Sequence, residues 1–223
     1  MYKILLVDID NTLLDFNKAE KNALKSVLKR YNLFNEENIA LYSQINLKYW
    51  RMFEKHLIDK SQVVTKRWEE FFAHFQIEVN PEKINVGYFN DLKEGAFYIY
   101  GAEDFLKEAV KIFKIYAITN GATDVQKRRI AKCGLNKYLS GLYISEEMGL
   151  NKPDKAYFDY VLNDIGVLDK KDVIVLGDSL TSDIQGALNS SLDYVWFDLF
   201  NTNPSFEGLR ITKLADFFKI INK

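Results

Sequence analysis

Between the apolar run at Ile4–Val7 and the next strand-like segment, "KIYAIT" at 114–119, the chain carries a long stretch patterned only for helix. Leu24, Val27, Leu28 and Tyr31 recur at helical spacing, as do Tyr42, Ile45, Tyr49 and Phe53. In "NPEKINVGYFNDL", Asn80 is placed to cap a helix and Pro81 to occupy its first turn. From about residue 100 the pattern alternates. Strand-like runs at 114–119, 141–145, 172–177 and 193–198 are separated by helix-like segments near 102–112, 123–133, 154–165, 182–190 and 213–221. Strands separated by helices imply a parallel sheet covered on both faces. A crossover needs only about a dozen residues. The helical block from 16 to 95 is far longer than that and is expected to be an inserted subdomain. The fold class is therefore α/β, a Rossmann-like parallel sheet core formed by 1–15 and 96–223, interrupted by an all-helical subdomain at 16–95.

In open α/β sheets, ligands bind beyond the carboxyl ends of the strands, so the residues that follow each strand carry the functional reading. The first strand runs into Asp8 and Asp10, "LVDIDNTLLD". On an extended backbone, positions two apart point the same way. Two carboxylates held together at a dry strand end are unfavourable unless a cation or a shared proton relieves them. After "YAI" come Thr119, Asn120 and Gly121, which offer a hydroxyl, an amide and a backbone N–H suited to phosphate oxygens. "NKPDK" supplies Lys152 in a proline-containing loop, and "GDSLTSD" supplies Asp178 at a strand end and Asp183 in the next helical turn. Oxygen donors in this number suit a hard cation such as Mg2+ rather than zinc. Lysine and hydroxyl donors suit a phosphoryl group, and a carboxylate can carry a covalent phosphoryl intermediate.

Each feature alone has a bland reading. A strand-ending Asp is commonly a turn or cap residue, Thr119-Asn120-Gly121 alone is a turn, and Lys152 alone is a loop lysine. Asp183 also suits a first helical turn on electrostatic grounds, and Asp15 reads as a turn or helix start with no chemistry. The aromatics Tyr42, Tyr49, Trp50, Phe53, Trp68, Phe71, Phe72 and Phe75 could stack on a base, but helical spacing favours them as the core of the block. What lifts the chemical residues above these readings is their order, one group at each expected strand end.

In that order, "DIDNTL", "ITNG", the lysine of "NKPDK" and "GDSLTSD" resemble the four motifs of the haloacid dehalogenase (HAD) superfamily of hydrolases, and the helical block resembles that family's C1-type cap. The stretch "ISEEMGLNKPDKAYFDYVL" resembles the branch containing bacterial pyrimidine 5′-nucleotidases. The resemblance implies an Mg2+-dependent phosphatase acting on small phosphomonoesters, nucleoside 5′-monophosphates first among them. It implies Asp8 as the nucleophile and a metal ligand, and Asp10 as general acid and then general base, its main-chain carbonyl also a metal ligand. It further implies Thr119 and the Asn120 backbone as phosphate donors, Lys152 as partner of Asp8 and the phosphate, Asp178 as a metal ligand, and Asp183 as the residue orienting the metal shell. A 2-haloacid dehalogenase would need no acid for its leaving group, and Asp10 fills a position where dehalogenases of the family lack an Asp. A phosphomutase, or a non-catalytic binding protein on the same core, is the further alternative.

The totals bound the partners. Thirty basic against thirty-one acidic residues, a formal net charge of −1, leave no electrostatic footprint for a nucleic acid polymer. A single cysteine, Cys133, excludes an internal disulfide and fits a reducing compartment. No apolar run reaches the roughly 20 residues of a membrane span, and the first residues lack the pattern of a signal peptide. The expectation is a cytoplasmic protein with a small-molecule phosphate ester as its partner and an oligomeric state left open.

Overall fold

In the computed structural model, which describes residues 2–221, every strand lies in one six-stranded parallel sheet. The strands are β1 (Ile4–Val7), β2 (Lys114–Thr119), β3 (Gly141–Ile144), β4 (Val173–Gly177), β5 (Asp193–Phe197) and β6 (Arg210–Ile211), in the order β3-β2-β1-β4-β5-β6. Successive connections run one way from β1 through β2 to β3, and the other way from β4 outward. The change of direction falls between β1 and β4, where such sheets open a crevice for ligands.

Strand alternation builds two cores. Leu5, Val7, Ile115, Ala117, Ile174 and Leu176 point to one face and pack with Phe105, Leu106 and Phe217. Leu6, Ile118, Val173 and Val175 point to the other and pack with Tyr157, Phe158 and Val161. Both faces are apolar because both are covered, which is why these strands read as continuous apolar runs. The covering helices are α5 (Ala102–Ala109), α6 (Thr123–Cys133), the single turn α7 (Ser145–Met148), α8 (Lys155–Asp164), α9 (Gln185–Asn189) and α10 (Phe217–Ile221). With the sheet they form one compact unit, in which the described residues are 2–16 and 96–221.

The second unit, Asn17–Gly95, is helical. It contains α1 (Phe16–Arg30, all but its first residue), α2 (Glu36–Glu54), α3 (Lys60–Ala73) and α4 (Pro81–Leu92). The N-caps are those the sequence chemistry demands. Asn35 accepts from the Asn38 amide, Asp59 forms a reciprocal capping box with Gln62, and Asn80 accepts from the Lys83 amide ahead of Pro81. Tyr42, Trp68, Phe71 and Phe72 are wholly buried in the unit's core, whereas Trp50 and Phe53 are half-buried and meet edge to face. This core also encloses polar groups. The Glu20 carboxylate accepts from Ser43 Oγ at 2.6 Å and Asn46 Nδ2 at 2.8 Å. Arg67 donates to Asn46 Oδ1 at 2.8 Å and Asn85 Oδ1 at 2.6 Å, so the two buried charges are joined through Asn46.

Element ends differ from expectation in informative places. The helix expected at 102–112 stops at Ala109, and the one expected at 182–190 begins earlier, as a π-helical turn over Leu180–Ile184. The two-residue β6 lies below the length at which alternation can be read. No helix among the described residues is long and apolar enough to cross a membrane.

Candidate active site

The parallel sheet brings the ends of β1, β2 and β4 to one edge. Asp8 follows β1, and its amide still donates to the Leu176 carbonyl at 2.9 Å, so the strand ladder fixes its backbone. Lys152 is buried to 1% exposure, and its ammonium donates to Asp8 Oδ1 at 2.6 Å, Asp183 Oδ1 at 2.6 Å and the Ile118 carbonyl at 3.1 Å. An ammonium has three protons, so this set uses all of them. Asn120 holds the lysine in place. Its Nδ2 donates to the Lys152 carbonyl at 2.8 Å, and its Oδ1 accepts from the Lys152 amide at 3.0 Å. Thr12 adds a weaker contact from its hydroxyl to Asp8 Oδ2 at 3.3 Å.

Asp183 sits in the π-helical turn, a form often found at functional sites. The Ser179 amide donates to its Oδ2 at 3.1 Å. It needs room from Gly177, where a Cβ would lie 2.3 Å from the Asp183 Cγ. Gly177→Ala is therefore expected to displace Asp183 from the lysine and destabilise the fold by about 1–3 kcal/mol. Urea melts measure this, and a variant melting with the parent would show that Asp183 is not seated as described. Asp178 is fixed from the neighbouring strand, since the Trp196 indole donates to its main-chain carbonyl at 2.7 Å.

Asp8, Asp178 and Asp183 each bring one carboxylate oxygen within 4.8 Å of the others. Three carboxylates face one ammonium, which leaves a deficit of positive charge. Burial, with the nearby charges of Asp183 and Asp10, pushes the Asp8 carboxyl up to about 7 despite Lys152. Burial and the charges of Asp8 and Asp183 push Asp178 well above the usual carboxylate range. Burial opposes the Lys152 ammonium, but Asp183 and Asp8 outweigh it and hold its pKa above the ordinary lysine value. An all-oxygen set with unbalanced negative charge fits a divalent hard cation such as Mg2+.

Asp10 stands apart from this cluster. Its Oδ1 accepts from Arg129 Nη1, and its Oδ2 accepts from Gln126 Nε2 at 2.8 Å. Both donors lie on α6 and are wholly buried. Gln126 Nε2 also donates to Thr119 Oγ1 at 2.8 Å. The Thr119 hydroxyl oxygen further accepts from the Gly121 amide at 3.0 Å, and the Thr119 amide donates to Tyr157 Oη at 3.2 Å. The structure thus groups the expected residues in two sets: Asp8, Lys152, Asp178 and Asp183 around the lysine, and Asp10 with Thr119 through Gln126. Asn120 serves the lysine's backbone. Gln126, Arg129, Tyr157 and Trp196 did not stand out in the sequence. The first two share a helix face three residues apart, a spacing that could have marked them.

The sequence profile of the haloacid dehalogenase-like hydrolases matches residues 2–190. The pyrimidine 5′-nucleotidase PynA of Streptococcus pneumoniae is 34% identical over 205 residues, covering 88% of this chain and 84% of its own. The pyrimidine 5′-nucleotidase YjjG of Escherichia coli is 31% identical over 195 residues, covering 87% and 85%. Among solved structures, the HAD-hydrolase YfnB of Bacillus subtilis, crystallised with magnesium bound, superposes with a TM-score of 0.92 at 31% identity, covering 100% of this chain and 99% of its own.

Proposed function

The chain belongs to the haloacid dehalogenase-like hydrolase family, and from that membership we propose that it is an Mg2+-dependent phosphomonoesterase acting on nucleoside 5′-monophosphates, pyrimidine nucleotides foremost. The observation that carries this reading is the division of labour between two strand-end carboxylates. Asp8 sits with Lys152 and two further carboxylates, while Asp10 sits outside that cluster on two neutral or cationic donors of α6. One acid belongs to the charged cluster around Lys152, and the other is held apart from it in a fixed orientation, free to take a different role. The nucleotidases PynA and YjjG support the substrate class, and the magnesium-bound YfnB supports the cation.

In this reading an Asp8 oxygen attacks phosphorus and the ester P–O bond breaks. Asp10 protonates the departing alkoxide, leaving an aspartyl phosphate on Asp8. Asp10 then takes a proton from water, which attacks phosphorus and frees Asp8 and inorganic phosphate. Thr119 and the Asn120 backbone donate to phosphoryl oxygens, and Lys152 offsets the charge between Asp8 and the phosphate. Asp8, Asp178 and the Asp10 carbonyl would hold Mg2+, with Asp183 orienting its shell, and the cation when bound would offset the negative charge of carboxylate and phosphate. The single cysteine and the small-molecule substrate fit work in the cytoplasm.

The test is phosphate release across nucleoside monophosphates, sugar phosphates and small organophosphates, with 2-chloropropionate as a dehalogenase control. UMP, dUMP and dTMP are expected to lead the panel, EDTA to abolish turnover and added Mg2+ to restore it. Poor nucleotides beside rapid sugar phosphates would overturn the substrate assignment. Full activity in rigorously metal-free protein would overturn the cation, and chloride release would overturn the phosphatase reading.

A further inference from the structure

We propose that Arg129 and Gln126 are positioning residues that hold the Asp10 carboxylate in the orientation its proton transfer requires; this deepens the reading of Asp10 as the acid and rests on it. The two side chains lie three residues apart on one face of α6 and take one oxygen of Asp10 each. A single donor would leave the carboxylate free to turn about its own axis. Donors of different kinds on the two oxygens fix both its direction and its plane. Each oxygen keeps a further lone pair for a proton in transit.

The donors are themselves locked. Arg129 Nη1 donates to Gln126 Oε1 at 3.0 Å, which leaves the Gln126 amide nitrogen facing Asp10 and Thr119. The amide can therefore point only one way. The Arg129 guanidinium also lies 5.9 Å from the Phe16 ring centroid, at the exit of the loop that carries Asp10. Gly121 makes the space, because a Cβ there would lie 2.7 Å from the Gln126 Cγ and Nε2. A wholly buried arginine and a wholly buried glutamine are unfavourable unless their bonds are made. Here those bonds converge on the proposed acid and on the hydroxyl of Thr119. The same two residues thus set the acid and a phosphate donor in one frame.

A general acid matters most when the leaving group is a poor one. An alkoxide needs a proton as it departs, and p-nitrophenolate does not. Loss of orientation at Asp10 therefore has a specific outcome that a general structural lesion lacks. Arg129→Met and Gln126→Leu are each expected to lower kcat/KM on UMP, or on the fastest alkyl phosphate of the panel, at least about tenfold more than on p-nitrophenyl phosphate. KM should shift little in Arg129→Met, since the hydrogen bond to the Thr119 hydroxyl comes from Gln126, and Arg129→Lys should recover part of the loss. Asp10→Asn, assayed beside them, separates the two ideas. A symmetrical fall in Asp10→Asn would overturn the acid assignment itself. An asymmetrical fall in Asp10→Asn, with symmetrical or absent losses in both Arg129→Met and Gln126→Leu, would overturn the positioning role. If circular dichroism shows Arg129→Met unfolded, Gln126→Leu and Arg129→Lys decide by the same ratio.

Discussion

Asp8→Asn is expected to abolish phosphate release, by about four orders of magnitude or more, while leaving the metal-free protein at least as stable at neutral pH as its parent. The first half follows from the proposed role, since an amide cannot form the acyl phosphate. The second half follows from electrostatics. Burial, then the charges of Asp183 and Asp10, lift the Asp8 carboxyl to about 7 against the pull of Lys152. The unfolded chain titrates near 4, so between about pH 4 and 7 the folded state holds a proton that the unfolded state has lost. Stability from this group is therefore greatest on the acid side and falls as pH rises through that window, by up to about 1.4 kcal/mol per unit, before levelling off. The amide carries no such slope. Thermal melts of both metal-free proteins at about pH 5 and about pH 8 compare the slopes. A parent no less stable at the alkaline end would contradict the burial account. Turnover by the variant, with deamidation excluded by mass, would remove Asp8 from the reaction.

Lys152→Met is expected to damage both fold and activity. The ammonium is the hub of the cluster, bonded to Asp8, Asp183 and the Ile118 carbonyl. A methionine fills similar volume but leaves Asp8, Asp178 and Asp183 facing one another without it. Breaking one side of a buried pair costs about 3–5 kcal/mol, because the remaining charge stays desolvated. The lysine's pKa is raised in the fold, so its contribution is complete below about 10 and absent only in strong alkali. Neutral buffers therefore report the full loss. Acid, which neutralises the carboxylates, and Mg2+, which offsets them, should each restore part of it. Activity should fall by at least about a thousandfold. A variant within about 1 kcal/mol of the parent in urea melts would show that the cluster does not depend on Lys152.

The sheet and the helical unit were legible because their residues obey local rules. Val173 to Gly177 is apolar on both faces, and Asn80-Pro81 caps a helix in the way its chemistry requires. The strand-end residues were legible because a parallel sheet sends all carboxyl ends to one edge, so Asp8, Thr119 and Asp178 converge from distant positions. Two kinds of feature were not legible. Gln126 and Arg129 look like ordinary polar residues of a surface helix, and their burial depends on the loop of Asp10, more than a hundred positions away in sequence. The Glu20–Asn46–Arg67–Asn85 network was hidden for the same reason. Polar residues inside an aromatic helical unit read as its solvent face until packing closes over them. The π-helical turn at Leu180–Ile184 follows from fitting Asp183 against Gly177, a steric detail without a periodic pattern.

A covalent phosphoryl group carried by Asp8 and released through Asp10 is the central step of the proposed reaction. Radiolabelled p-nitrophenyl phosphate mixed with Asp10→Asn enzyme and Mg2+ tests it most directly. The leaving group needs no acid, so the first step proceeds, while loss of the base stalls the second. Acid quenching and peptide mapping should find the label on the peptide that carries Asp8, and adding Asp8→Asn to the same enzyme should remove it. Label on another residue, or free phosphate formed with no label on the protein at any time, would contradict the account.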